Sequence, residues 1–180
     1  MLIDAAKSLL LLVDTQTRLA PAVHDAAAAV QQCRLLIEVA QKLDVPVLAA
    51  EQYPEGLGPT VAELAALLNP AQVYAKRHFS CAHDPGIVAA LDGLARTEIV
   101  ICGMEAHICV LQSALGLQAR GLRTIVVADA VASRRPVSRD LALERMRDHG
   151  VEIVTAEMVV FEWLREAATP RFRAILPLVR

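Results

Sequence analysis

The chain has 180 residues, a formal net charge of −2, and is 55% hydrophobic but only 3% aromatic. That length suits one domain, residues 1–180, with a sizeable core. Mixed charge without a basic stripe, and few rings to stack on bases, argue against a nucleic-acid partner. The apolar stretch Ser8–Val13 is far short of the roughly 20 residues of a membrane span, so no membrane association is expected. No small-residue cleavage site follows it before polar sequence, so a cytoplasmic location is the expectation. The four cysteines, Cys33, Cys81, Cys102 and Cys109, form no CxxC pair and no secreted-style framework.

Taken in order, Ser8–Val13 reads as a buried strand closed by Asp14. A long helix is expected from about Ala22 to Leu43, with Val23, Ala27, Val30, Leu35, Ile37 and Val39 facing the core and Asp44 and Pro46 stopping it. Pro46–Glu51 is the next strand, leading into the turn-rich Gln52–Pro59. Thr60, with Glu63 three residues on, has the form of a capping box for a short helix to Leu68. Gln72–Lys76 is a short strand ending in a cation, Arg77–Asp84 a loop, and Pro85 suits the first turn of a helix to Ala95.

Glu98–Cys102 is an apolar, β-branched run that Gly103 breaks. From Ala106 the period changes, and Ala106, Cys109, Val110, Ser113, Ala114 and Leu117 share one helical face, which ends at Arg120-Gly121. Arg123–Asp129 is a strand and Ser133–Pro136 a solvated loop. A helix from Val137 or Ser138 runs to His149-Gly150, and Val151–Thr155 is the last strand. Ala156–Arg180 reads as helical with breaks at Pro170 and Pro177. Six alternations of strand and helix call for a mostly parallel six-stranded sheet in a three-layer α/β/α fold. The apolar surplus also fits a homo-oligomer, dimer or tetramer.

Three reactive side chains stand at strand ends: Asp14, Lys76 and, one turn past its strand, Cys109. In a parallel sheet those ends share one edge, where open α/β sheets take ligands. A carboxylate can accept a thiol proton and an ammonium can keep both partners ionised. Cys109, in the first turn of a helix, would also meet orphan N–H groups and the dipole's positive end, which favour thiolate. Each residue alone has a plain structural alternative: an aspartate capping a turn, a solvated lysine, a buried small thiol. Cys33 on its helix and Cys102 in its strand are read as small buried hydrophobes.

The residues resemble the isochorismatase-like cysteine hydrolases, the group that also includes nicotinamidases and N-carbamoylsarcosine amidohydrolases. The matching pieces are Leu12–Gln16, Lys76 with Phe79-Ser80, Cys102–Val110, and Gly121 with Val126–Ala130. Glu51–Val61 is similar to the branch called isochorismatase domain-containing proteins. The resemblance covers about Ser8 to Thr155 and implies an isochorismatase-like, Rossmann-like fold. It also implies an Asp14–Lys76–Cys109 triad, attack of the cysteine on a carbonyl carbon, and hydrolysis of a thioester. A cis peptide maps onto Met104-Glu105 and would turn the Glu105 N–H toward the same point as that of Cys109, forming an oxyanion hole.

This chain departs from the zinc-binding nicotinamidases, which carry an Asp-x-His pair and a further histidine after the second strand. Glu51-Gln52-Tyr53 stands there instead, with no histidine between His24 and His78, so no metal and no cofactor are expected. Gln16, Gln52, Tyr53, Phe79 and Glu105 are candidate substrate contacts. His107 either lines the pocket or is a satisfied helix-start residue, and Cys81 either nears the site mouth or is a packed loop thiol. Short connections point to a small-molecule substrate: an amide, a ureido compound or a related carbonyl compound. Two other readings are a redox-reactive cysteine sensor and a catalytically idle oligomeric scaffold. Asp14 separates hydrolysis from sensing, because a sensor needs no general base.

Overall fold

Strand β1 (Ser8–Val13) is buried along its whole length, as an unbroken leucine run must be when both faces of a parallel sheet are covered. Full burial of each leucine contributes roughly 1.5–3 kcal/mol. In the computed structural model, which describes residues 1–179, β1 is joined by β2 (Val47–Gln52), β3 (Val73–Lys76), β4 (Glu98–Met104), β5 (Arg123–Ala132) and β6 (Glu152–Val154). All neighbours pair in parallel, in the order β3-β2-β1-β4-β5-β6.

Alternation along β1 divides the core. Leu10 and Leu12 pack with α1 (Ala26–Lys42), α7 (Ala156–Leu164) and α8 (Pro170–Val179) on one face. Leu9, Leu11 and Val13 pack with α4 (Pro85–Leu94), α5 (Leu111–Ala119) and α6 (Pro136–Asp148) on the other. The short helices α2 (Pro54–Leu57) and α3 (Ala62–Ala65) lie in the connection after β2. From β1 the chain winds outward through β2 and β3, then returns to lay β4 on the other side of β1. The crevice at such a reversal, past the C-terminal ends of β1 and β4, is where ligands enter doubly wound sheets.

Several boundaries differ from the sequence expectation. Strand β4 passes through Gly103 to Met104. Gly103 takes φ 118° and lies against β1 so closely that a Cβ there would stand 2.0 Å from the Val13 carbonyl oxygen, so glycine continues the strand where a larger residue would break it. Strand β5 extends to Ala132 because a register shift against β4 takes up the extra residues. Helix α1 starts at Ala26, after a 3-10 turn Ala20–Ala22 and a left-handed Asp25; its buried face is then Ala29, Val30, Cys33, Leu36, Ile37, Val39 and Ala40, leaving Ala27 outside. The capping box at Thr60 does not form, since the Thr60 N–H and hydroxyl both donate to Glu51 at 2.7 Å and Val61 precedes α3. Pro177 lies inside α8, and Arg180, expected to be helical, lies outside the described residues.

Candidate active site

Asp14 follows β1 directly and turns the chain through a left-handed backbone at φ 48°, placing its side chain at the C-terminal edge of the sheet. Lys76 ends β3, two strands away. Their side chains are fully buried and the Lys76 Nζ donates to Asp14 Oδ2 at 2.8 Å. The same ammonium donates to Gln52 Oε1 at 2.7 Å and to the Phe79 carbonyl at 3.2 Å. A lysine has three protons to give, so this one is fully committed. Asp14 Oδ1, by contrast, has no hydrogen-bond partner among the described residues. Of the two carboxylate oxygens, one is locked by lysine and one is free.

Cys109 lies beside that carboxylate, 6% exposed, in a π-helical turn (Ala106–Val110) that precedes α5. Such widened turns recur at functional sites. The Met104-Glu105 peptide just before the turn is cis. Burial pushes the Asp14 carboxyl above its usual range, with the Lys76 charge and the neighbouring Cys109 thiol acting the other way. Burial and the Asp14 charge push the Cys109 thiol well up, and Lys76 only partly offsets them. The cysteine therefore rests as the thiol, in place of the thiolate expected from a helix start. The sequence could not show that burial and a neighbouring carboxylate would act on the sulfur against the helix start.

Asp14 and Cys109 open into a cavity of about 140 Å³ whose apolar wall is formed by Leu19, Leu57, Phe79 and Ile108. Gln52, Glu105 and Arg134 complete it. Glu105 is almost fully buried and is gripped by Arg134, whose backbone N–H donates at 2.8 Å, Nε at 3.0 and 3.1 Å, and Nη2 at 2.6 Å. Burial alone would raise the Glu105 carboxyl, but these bonds and the Arg134 charge hold it below the usual carboxylate range.

Of the expected substrate contacts, Gln52, Phe79 and Glu105 line the cavity and Gln16, Tyr53 and His107 do not. Gln16 is fully buried and ties the ends of β1 and β2 together, donating to the carbonyls of Gln52 and Gly58 and accepting from the Gln52 N–H. Tyr53 is 45% exposed and its ring lies under the Arg77 guanidinium at 4.4 Å. His107 Nδ1 meets Ser133 Oγ at 3.0 Å, facing the β5–α6 connection. Cys81 is buried outside the cavity, its thiol pushed up by burial to about 11. Arg134 was expected only as a solvated loop residue. The available signal was its position just past β5, on the same edge as Asp14 and Cys109. Among the described residues no cluster of three or more His, Cys, Asp or Glu is placed to hold a metal ion. Among them, too, no helix is long and apolar enough to cross a membrane.

Against known proteins, the isochorismatase domain family model matches residues 8–158. The chain belongs to the isochorismatase domain family, and so to the isochorismatase-like hydrolases. Isochorismatase domain-containing protein 2A of Mus musculus is 38% identical over 174 residues, covering 96% of this chain and 82% of its own. Among solved structures, the MAR1 ribonuclease from Caenorhabditis elegans superposes with a TM-score of 0.93 at 31% identity, over 99% of this chain and 92% of that one. YcaC from Pseudomonas aeruginosa, solved with hexane-2,5-diol and covalent acrylamide, gives 0.91 at 25% identity, over 98% and 91%.

Proposed function

We propose that this family member is a cysteine hydrolase of a small amide or related carbonyl compound, with Cys109 as nucleophile, Asp14 as general base and acid, and no step routed through a metal. The observation that carries the reading is the divided carboxylate: Oδ2 is held by Lys76, Oδ1 has no hydrogen-bond partner among the described residues, and Asp14 and the Cys109 thiol neighbour each other in one small pocket. In the first step the thiol proton passes to Asp14 Oδ1 as sulfur bonds to the carbonyl carbon. The negative oxygen that results is assigned to the backbone N–H groups of Glu105 and Cys109, each such donor contributing roughly 3 kcal/mol in comparable sites. Collapse breaks the bond to the leaving nitrogen, which takes the proton from Asp14 and departs as amine. Water then gives a proton to Asp14, attacks the thioester and releases the acid, and the proton returns to sulfur. A raised carboxyl suits this shuttle, because a base whose pKa approaches the working pH both takes and returns a proton readily. Lys76 keeps Asp14 ionised and aimed, without touching the substrate.

YcaC of Pseudomonas aeruginosa was solved with covalent acrylamide, an electrophile that takes a nucleophile at its alkene carbon, which agrees with a reactive nucleophile in a protein of this fold. Ribonuclease activity, as in the name of the Caenorhabditis elegans neighbour, has less support here. A phosphodiester would meet the carboxylates of Asp14 and Glu105, with Lys76 and Arg134 already paired to them. Assembly as a homodimer or tetramer belongs to the same reading; Val137 and Leu141 form an exposed apolar pair one turn apart on α6.

The test is intact-protein mass spectrometry and turnover with a panel of small amides, ureido compounds and aldehydes, on the wild type and Cys109→Ala. The expected result is a covalent adduct on Cys109 and loss of turnover in a variant that still folds. Turnover retained by Cys109→Ala overturns the covalent mechanism; adducts formed only with oxidants favour the sensor.

A further inference from the structure

The charges around the cavity cancel in pairs. Lys76 has its three protons on Asp14, Gln52 and Phe79. Arg134 is the cation that lines the cavity itself, and its backbone N–H, Nε and Nη2 all donate to the carboxylate of Glu105, which pairs its charge. The Gln52 amide is neutral and partly used: its oxygen accepts from Lys76 and its nitrogen donates one of its two N–H groups to the Arg77 carbonyl at 2.9 Å, which leaves one uncharged donor. What faces a bound molecule is thus the Cys109 thiol, the Asp14 carboxyl, the neutral amide of Gln52, the backbone N–H groups assigned to the carbonyl oxygen, and an apolar wall. An anionic substrate would give up its hydration, meet Asp14, and find each lining cation already matched. The space is also small: about 140 Å³, against roughly 300–1,000 Å³ for pockets that hold drug-sized ligands.

We propose that this site selects an uncharged carbonyl compound with a short apolar body, and that Glu105 sets the selection by consuming the charge of Arg134. The inference rests on Cys109 being the nucleophile of the pocket. It makes Glu105 a specificity residue: without its carboxylate, the Arg134 guanidinium would face the cavity as a free cation and admit carboxylate-bearing compounds.

Iodoacetamide and iodoacetate separate the possibilities, since they deliver nearly the same atoms to a thiol with and without a negative charge. Labelling of Cys109 would be followed by peptide mapping at mildly alkaline pH, with each rate divided by that for free cysteine. Cys33, Cys81 and Cys102 are fully buried and give little background. The expected result is a normalised preference for iodoacetamide of at least about tenfold, the scale of one uncompensated charge at contact distance in a partly screened site. In Glu105→Gln the ratio of the two normalised rates should fall toward one or invert, whatever the absolute rates. Equal normalised rates in the wild type, or a preference for iodoacetate, would overturn the inference and leave the cysteine nucleophile standing. An unchanged preference in Glu105→Gln would remove Glu105 as its cause. No labelling of Cys109 by either reagent would overturn both the inference and the nucleophile on which it rests.

Discussion

Replacing Lys76 with methionine keeps much of the side chain's bulk and removes its charge, leaving Asp14 as a carboxylate with no counter-charge. Both partners are fully buried and 2.8 Å apart, and removing one member of such a pair costs about 3–5 kcal/mol. The cost should depend on pH, with a definite sign. Burial already raises Asp14 in the wild type, against the opposing Lys76 charge; without that charge it rises further. A carboxyl raised on folding binds its proton more tightly in the folded state. Its contribution is therefore most favourable below the ordinary value of about 4 and is lost as pH climbs through the raised one. Equilibrium unfolding in denaturant at about pH 5 and pH 8 should thus show Lys76→Met closest to the wild type at the lower pH, with the full deficit of about 3–5 kcal/mol at the higher. An equal deficit at both, or one below about 1 kcal/mol at pH 8, would refute the buried ion pair as described.

Gly103→Ala should destabilise by at least about 3 kcal/mol, since it forces a Cβ onto the β1 backbone at a left-handed φ; a denaturant midpoint within error of the wild type would contradict the close approach of β4 to β1. The pH profile should carry both shifts at the site. kcat/KM should fall as pH drops through a raised Asp14 value, with an acid limb above the ordinary carboxylate range of about 4. Alkylation of Cys109 should keep rising past the free-cysteine value of about 8.5. An acid limb at the ordinary value would contradict the raised Asp14 carboxyl, and an alkylation plateau near neutrality would contradict the raised Cys109 thiol.

The legible features were those that local chain chemistry sets. Runs such as Leu9–Val13 and Ile99–Cys102 are apolar at successive positions, which suits strands buried on both faces, and they appear as β1 and β4. Asp14 and Lys76 were visible as charges ending such runs, and topology brings them into contact. Gln16, Tyr53 and His107 lie outside the cavity lining because closeness in sequence to a reactive residue says little about direction. Left-handed turns at Asp14 and Tyr53 and a widened helical turn at His107 redirect the chain at these points.

By itself, then, the amino-acid order determined the fold class, the sheet edge that carries the chemistry, and the residue types available there, because periodicity and strand-end charges are local properties of the chain. Tertiary structure alone decided which of these groups are spent and which are free. Lys76 reaches Asp14 across 62 residues and Arg134 reaches Glu105 across 29. Such pairings follow from strand order and burial, which no short window encodes. In that low-dielectric interior the same burial that raises the Cys109 thiol and the Asp14 carboxyl leaves one carboxylate oxygen without a hydrogen-bond partner among the described residues.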